Sequence, residues 1–235
     1  MNSFRKLGAI ASLMLGVLFL GYIGLLAVVL PAQGLGPGTL NNPATGIPFV
    51  AASALPLVID AIYIGIAITF LLITLALYDR LRPAAPVMMP ISAATGLLAS
   101  GLFLIYAMIN LVGNPIAVST YQHDTVAGGV IYVTLRATGN AINAGALFAA
   151  GWALLLAGWS ACRARSLPRL LSYLVIGAGV AMMVSFVLLP IGLLGVLLAP
   201  VWSIWLGITL LRESRAASAP ATVFEAFQSA YEHKG

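Results

Sequence analysis

Four stretches of this chain, Leu7–Leu30, Leu55–Tyr78, Val87–Val112 and Leu170–Leu211, contain no Lys, Arg or Glu and one carboxylate in all, Asp60. An apolar run of about 20 residues is long enough to cross the hydrocarbon of a bilayer as a helix. Inside that hydrocarbon every backbone amide must find its partner within the segment. The runs do not alternate polar with apolar residues, which excludes a transmembrane barrel. Hydrophobic residues are 61% of the 235 and charged ones only 7%, far from a soluble globular composition, so lipid is the solvent for most of the chain. The expected fold is an all-α polytopic membrane protein, a six-helix bundle over residues 1–215 with a tail at 216–235.

The first span is expected at about 7–30. Arg5 and Lys6 ahead of it resemble a secretory leader, but the run exceeds the roughly 7–15 residues of a signal core, and no convincing small-x-small cleavage site follows Leu30. Pro31–Ala54 reads as an uncharged loop rich in Pro, Gly and Asn. The second span, 55–78, is stopped by Asp79-Arg80-Leu81-Arg82-Pro83, and the third, 87–112, by Gly113-Asn114-Pro115. Thr125–Trp159 is too long for one crossing, since Arg136–Trp159 alone extends roughly 36 Å at 1.5 Å per residue. Residues 125–135 are therefore expected on the outer surface, as an interfacial helix or an extension of the fourth span at 137–160. Leu170–Leu211 is about two bilayers long, broken near Pro190, Gly192 and Gly195, and is expected to fold as a hairpin of spans 170–189 and 193–211.

Arg5, Lys6, Arg80, Arg82, Arg163, Arg165, Arg169, Arg212, Arg215 and Lys234 then share one side, against Arg136 alone on the other. The positive-inside bias orients both termini to the cytoplasm. The same distribution argues against nucleic acid as a partner, because the cations sit in short turns instead of forming a stripe. In the tail, Thr222-Val-Phe-Glu225 has a capping-box pattern, and Val223, Phe227 and Tyr231 fall on one face of a short amphipathic helix.

In lipid, helices associate through close van der Waals packing at small residues and through hydrogen bonds. The fourth span has a small residue at every fourth position: Ala141, Gly145, Ala149, Ala153 and Ala157. Gly8, Ser12 and Gly16 repeat the pattern on the first span, and Gly177, Ala181 and Ser185 on the fifth. Internal packing with the fourth span at the bundle's centre is the expected use of these grooves, with a homodimer seam as the alternative.

Counted inward from the arginine-bearing ends, Asp60, Asn110, Arg136 and Asn140 reach a common depth near the outer edge of the hydrocarbon. Arg136, Asn140 and Asn143 are spaced i, i+4, i+7 on one face; Tyr106 pairs with Asn110 and Asp60 with Tyr63 by the same geometry. A carboxylate within a membrane helix points to function by default, since its charged form is costly there unless paired. Two readings follow. An Asp60–Arg136 ion pair fixes how three spans meet, or the cluster forms an outer pocket for a lipid head group or small solute.

His123 and His233 lie outside the spans, so the axial ligands of a membrane b-type haem are missing, and the one cysteine, Cys162, offers no disulfide or thiolate cluster. His123-Asp124 supplies two donors in one loop, too few for a metal site. The chain has no Gly-x-Ser-x-Gly elbow, no His-Glu-x-x-His helix and no pair of intramembrane carboxylates. A non-enzyme without cofactor or metal is expected, compatible with a bound lipid.

Phe4-Arg5-Lys6-Leu7-Gly8, Leu57-Val58-Ile59-Asp60, Gly151-Trp152, Arg165-Ser166-Leu167-Pro168-Arg169-Leu170-Leu171, Trp205-Leu206 and Leu211-Arg212 occur in the order found in a family of small six-helix bacterial membrane proteins, the uncharacterised-domain family numbered 4386. The resemblance runs from about Phe4 to Arg212. Members often carry a histidine on the fourth span, where this chain has Asn140 and Asn143. The resemblance implies a fold and a bacterial origin, hence the cytoplasmic (inner) membrane, and implies no activity. The leading functional expectation is an accessory or modulatory subunit packed against lipid, other membrane proteins or itself. The alternative is a small permease or lipid-head-group binder using the outer pocket.

Overall fold

The computed structural model describes residues 2–185 and 189–216. Among these residues the regular structure is helical throughout, without strands. The tail face of Val223, Phe227 and Tyr231 lies outside the described residues.

Helix α1 (Asn2–Gly24) widens into a π turn at Leu25–Val29 and ends in α2 (Leu30–Ala32). The cause is Pro31, which has no N–H to give to the carbonyl four residues earlier; the Leu30 N–H reaches back to Leu25 instead. The stretch expected as a loop, Pro31–Ala54, is largely helical: α3 (Pro37–Asn41) and α4 (Pro43–Ala52) follow. Pro37 and Pro43 occupy first-turn positions, where a missing N–H costs nothing, Pro48 lies inside α4, and the Asn42 side chain accepts the Ala44 N–H at 3.0 Å to cap α4.

The remaining helices are α5 (Leu55–Leu81), α6 (Met88–His123), α7 (Thr125–Ala164), α8 (Arg169–Val184) and α9 (Leu189–Ala216). One boundary departs from the sequence reading and one alternative is decided. Helix α6 does not stop at Gly113-Asn114-Pro115. Gly113 and Asn114 are buried, and a Cβ built on Gly113 would stand 2.7 Å from the Leu135 side chain, so packing on α7 carries the helix across a proline that removes a single backbone bond. Residues 125–135 take the second of the two expected forms, an extension of the fourth span. They open α7 without a break, because Asp124 caps that helix through its Oδ1, which accepts from Val126 N (2.9 Å) and Ala127 N (3.0 Å).

At 1.5 Å per residue, the 36 residues of α6 and the 40 of α7 extend about 54 and 60 Å. Hydrocarbon is about 30 Å thick, so this hairpin projects well past it. Near the hairpin's tip α4 packs on both helices around buried Ile47, Ala117 and Tyr132.

The six principal helices form a closed ring in chain order: α1 on α5, α5 on α6, α6 on α7, α7 on α8, α8 on α9, and α9 back on α1. Helix α7 is therefore one stave of the ring and not its centre; it meets α6 and α8 extensively and α5 only lightly. At the arginine end, Arg80 on α5 closes the ring by pairing with Glu213 on α9 and donating to the Ser166 carbonyl between α7 and α8.

Five helices of the described residues are long and apolar enough to cross a membrane: Lys6–Ala32, Leu55–Leu81, Met88–His123, Thr125–Ala164 and Leu194–Ser214. Arg169–Val184, at 16 residues, is shorter. The chain is an all-α, multi-pass membrane protein.

Candidate functional site

The polar side chains of the hairpin half of the ring form two groups. The first is an aromatic cluster where α1, α5 and α6 meet. Tyr63 packs its ring 4.5 Å from that of Tyr106 and meets Tyr22 edge-on at 5.4 Å, while its hydroxyl donates to the Tyr22 hydroxyl at 3.1 Å. Phe103 and Phe70 extend the stack toward the arginine end. Asn110 donates its amide to the Tyr106 carbonyl at 3.0 Å, one turn back on α6. From α7, Asn143 reaches Tyr63, with its own Oδ1 buried and unpartnered.

The second group surrounds Tyr132 at the α4 cap. Its hydroxyl donates to the Leu40 carbonyl at 2.7 Å and accepts from Arg136 Nε at 3.1 Å, and the guanidinium lies 5.1 Å from the Tyr132 ring centroid. This arrangement overturns the expected Asp60–Arg136 ion pair. The only pair within 4.0 Å among the described residues is Arg80–Glu213. Arg136 acts on Asp60 through space, but Tyr132, one turn earlier on its own helix, captures it by a hydrogen bond and a cation–π contact.

Asn140 also departs from the expected pocket, because it is exposed. The α7 face that meets the tyrosines is Arg136, Gly139 and Asn143; a Cβ on Gly139 would lie 3.4 Å from the Tyr106 ring. One residue further along turns the side chain about 100° away.

Asp60 is 5% exposed and makes no hydrogen bond or ion pair among the described residues. It lines an open cleft of about 300 Å³ where the end of α4, the start of α5 and the C-terminal part of α6 converge. Asn110, Asn114, Leu111, Pro115 and Ser53 share that cleft. Asn114 is 6% exposed, and its amide likewise makes no hydrogen bond. Pro115 has no N–H, so the Leu111 carbonyl lacks its usual helical donor. The remaining walls are apolar, among them Val50, Leu57 and Val118.

A model of one protein family, described as Domain of unknown function (DUF4386), matches residues 14–214. The chain belongs to that family. The DUF4386 match takes in every residue of both polar groups, so the cleft lies inside the family domain. No curated protein and no solved structure matches this DUF4386 chain.

Sequence reasoning missed Tyr22, Asn114 and Tyr132. Tyr22 was within reach, since it lies eight residues before Leu30 just as Tyr63 lies eight after Leu55, which gives the two equal depth. Asn114 was hidden by the assumption that a Gly-Asn-Pro triplet ends a helix. The small-residue grooves divide. Gly8 approaches Ala76 of α5, Gly16 approaches Ile204 of α9, and Ser12 is buried with its hydroxyl turned back to the Gly8 carbonyl at 2.8 Å. Ala149 and Ala153 are buried, and the Ala153 carbonyl accepts from Ser92 of α6 at 2.8 Å. Ala181 is buried too, but Gly145 is half-buried, Ala141 exposed, and Gly177 faces open space.

Proposed function

We propose that this protein is a non-catalytic, six-span protein of the bacterial cytoplasmic membrane that binds a small amphiphile or solute in its outer cleft. Both ends lie in the cytoplasm, as the positive-inside bias of the arginines requires. The observation that carries the binding reading is Asp60: a residue 5% exposed, on a membrane helix, whose carboxylate has no hydrogen bond or ion pair among the described residues and opens onto a largely apolar cleft. Leaving such a group unpaired is costly, and a ligand that satisfies it recovers that cost. Neither a cofactor nor a metal enters this reading.

The sixth span is supported by Arg80, whose contacts tie Ser166 and Glu213 to one end of the ring. Between those residues α9 crosses once, so α8 must cross too. The test of binding is native mass spectrometry on protein extracted in lipid nanodiscs. Ala51 lines the cleft from an exposed position, so Ala51→Trp fills it with little effect on folding. Wild type is expected to retain a bound small molecule that Ala51→Trp lacks; equal spectra would refute the reading.

A second reading, an accessory subunit that packs against another membrane protein or a second copy, is favoured by the unpacked small and apolar residues. Ala141, Gly101 and Gly177 are open, and Val126, Val130 and Val133 form an exposed stripe where α7 projects past the hydrocarbon. A stoichiometric partner in gently solubilised preparations is its expected sign; a bare monomer would end it.

A further inference from the structure

We propose that the ligand of the Asp60 cleft carries a protonated primary amine, on a lipid head group or on a free amphiphile; this deepens the binding reading above and rests on it. The cleft offers acceptors in excess of donors. Asp60 is an acceptor-only group while charged. Leu111, which lines the cleft, has a carbonyl that lacks its helical donor because Pro115 has no N–H, and Asn114, a residue 6% exposed with no side-chain hydrogen bond among the described residues, adds an amide oxygen beside its two N–H donors. A primary ammonium has three N–H donors and one positive charge, which suits one carboxylate and two neutral acceptor oxygens. A quaternary ammonium has the charge without the donors.

Anionic ligands are disfavoured by the same geometry. Among the described residues Asp60 is the only charged one lining the cleft, and Arg136, the cation nearest in effect, is held by Tyr132. A phosphate or carboxylate placed beside Asp60 would meet a like charge in a weakly screened setting. The apolar walls Val50, Leu57, Leu111 and Val118 suit the chain or glycerol backbone of an amphiphile. A bare metal cation would leave those walls unmatched and asks for more oxygen ligands than the cleft supplies.

The experiment uses the full chain in nanodiscs of equimolar phosphatidylethanolamine and phosphatidylcholine, with wild type, Asp60→Asn and Ala51→Trp compared by native mass spectrometry, and hexylamine added in a second arm. Wild type is expected to retain the ethanolamine lipid about tenfold over the choline lipid. Asp60→Asn is expected to retain lipid without that preference, and Ala51→Trp to retain neither. Binding of hexylamine without ethanolamine lipid, abolished in Asp60→Asn, upholds the proposal with a free amine as the source. Equal retention of both lipids by wild type, or an Asp60→Asn variant as selective as wild type, overturns the amine while leaving the binding reading intact. Wild type that retains nothing, with or without hexylamine, overturns both.

Discussion

Gly151 on α7 and Gly179 on α8 face each other at a close backbone approach: a Cβ on Gly151 would stand 2.5 Å from the Gly179 carbonyl oxygen, and one on Gly179 would stand 2.6 Å from that of Gly151. The opposing atoms are backbone, which cannot swing aside. Gly179→Ala is therefore expected to destabilise the fold by about 1–3 kcal/mol, the usual range for overpacking. Gly177→Ala, with nothing within 4 Å of its Cβ, is the control and is expected to be neutral or to gain up to about 1 kcal/mol of helix propensity. Thermal unfolding in detergent, followed by circular dichroism, measures the contrast; equal midpoints for the two variants would contradict the crossing.

Arg80 is the other fixed point of the ring. Its side chain is 11% exposed, and it serves Glu213 (Nη2 to Oε1, 2.9 Å) and the Ser166 carbonyl at once. Arg80→Met removes all three hydrogen bonds and strands a carboxylate and a carbonyl, with an expected loss of about 2–3 kcal/mol. Glu213 is 39% exposed, so Glu213→Gln, which keeps an acceptor, is expected to cost no more than about 1 kcal/mol. Chemical unfolding midpoints of the two variants should separate in that order.

Tyr132 is fully buried, and its hydroxyl joins Leu40 of α3 to Arg136 of α7. Tyr132→Phe keeps the packing and removes the bridge, leaving the Leu40 carbonyl unpaired. An expected local cost of about 1–3 kcal/mol falls on the attachment of α3 and α4 to the hairpin. Hydrogen exchange should quicken at Pro37–Ala52 and stay unchanged in α8. Uniform protection across both segments would mean the bridge holds nothing.

The membrane character was legible because apolar run length reports directly on solvent, and Asp60, Tyr63, Tyr106 and Asn110 could be grouped because depth along a helix is a count of residues. Rotation about the axis was not legible: Asn140 and Gly139 differ by one position, and only the packed structure decides which faces Tyr106. The Asp60–Arg136 pairing failed for a related reason. Charge complementarity across helices favours the pair, but Tyr132, four residues from Arg136 on the same helix, competes without any ordering cost between helices. Prolines misled in both directions, at Pro37 and Pro43, which begin helices, and at Pro115, which one absorbs.

Helix α8 decides how many times the chain crosses. Its 16 residues extend about 24 Å, short of the hydrocarbon thickness, so length alone assigns it no crossing. Parity argues otherwise, because Arg80 holds both the Ser166 turn before α8 and Glu213 near the end of α9. If α9 crosses, the ends of the α8–α9 pair share a side only if α8 crosses as well. A short helix can span by drawing the bilayer thinner, at fractions of a kcal/mol per ångström of mismatch. In a Cys162→Ser background, single cysteines at Asp79, Pro168 and Arg212 should react with a membrane-impermeant maleimide only after the cells are permeabilised, whereas Val126→Cys, 75% exposed at the hairpin tip, should react in intact cells. Labelling of Pro168→Cys and Arg212→Cys from opposite sides would remove the sixth span and, with it, the closed ring's passage through the bilayer.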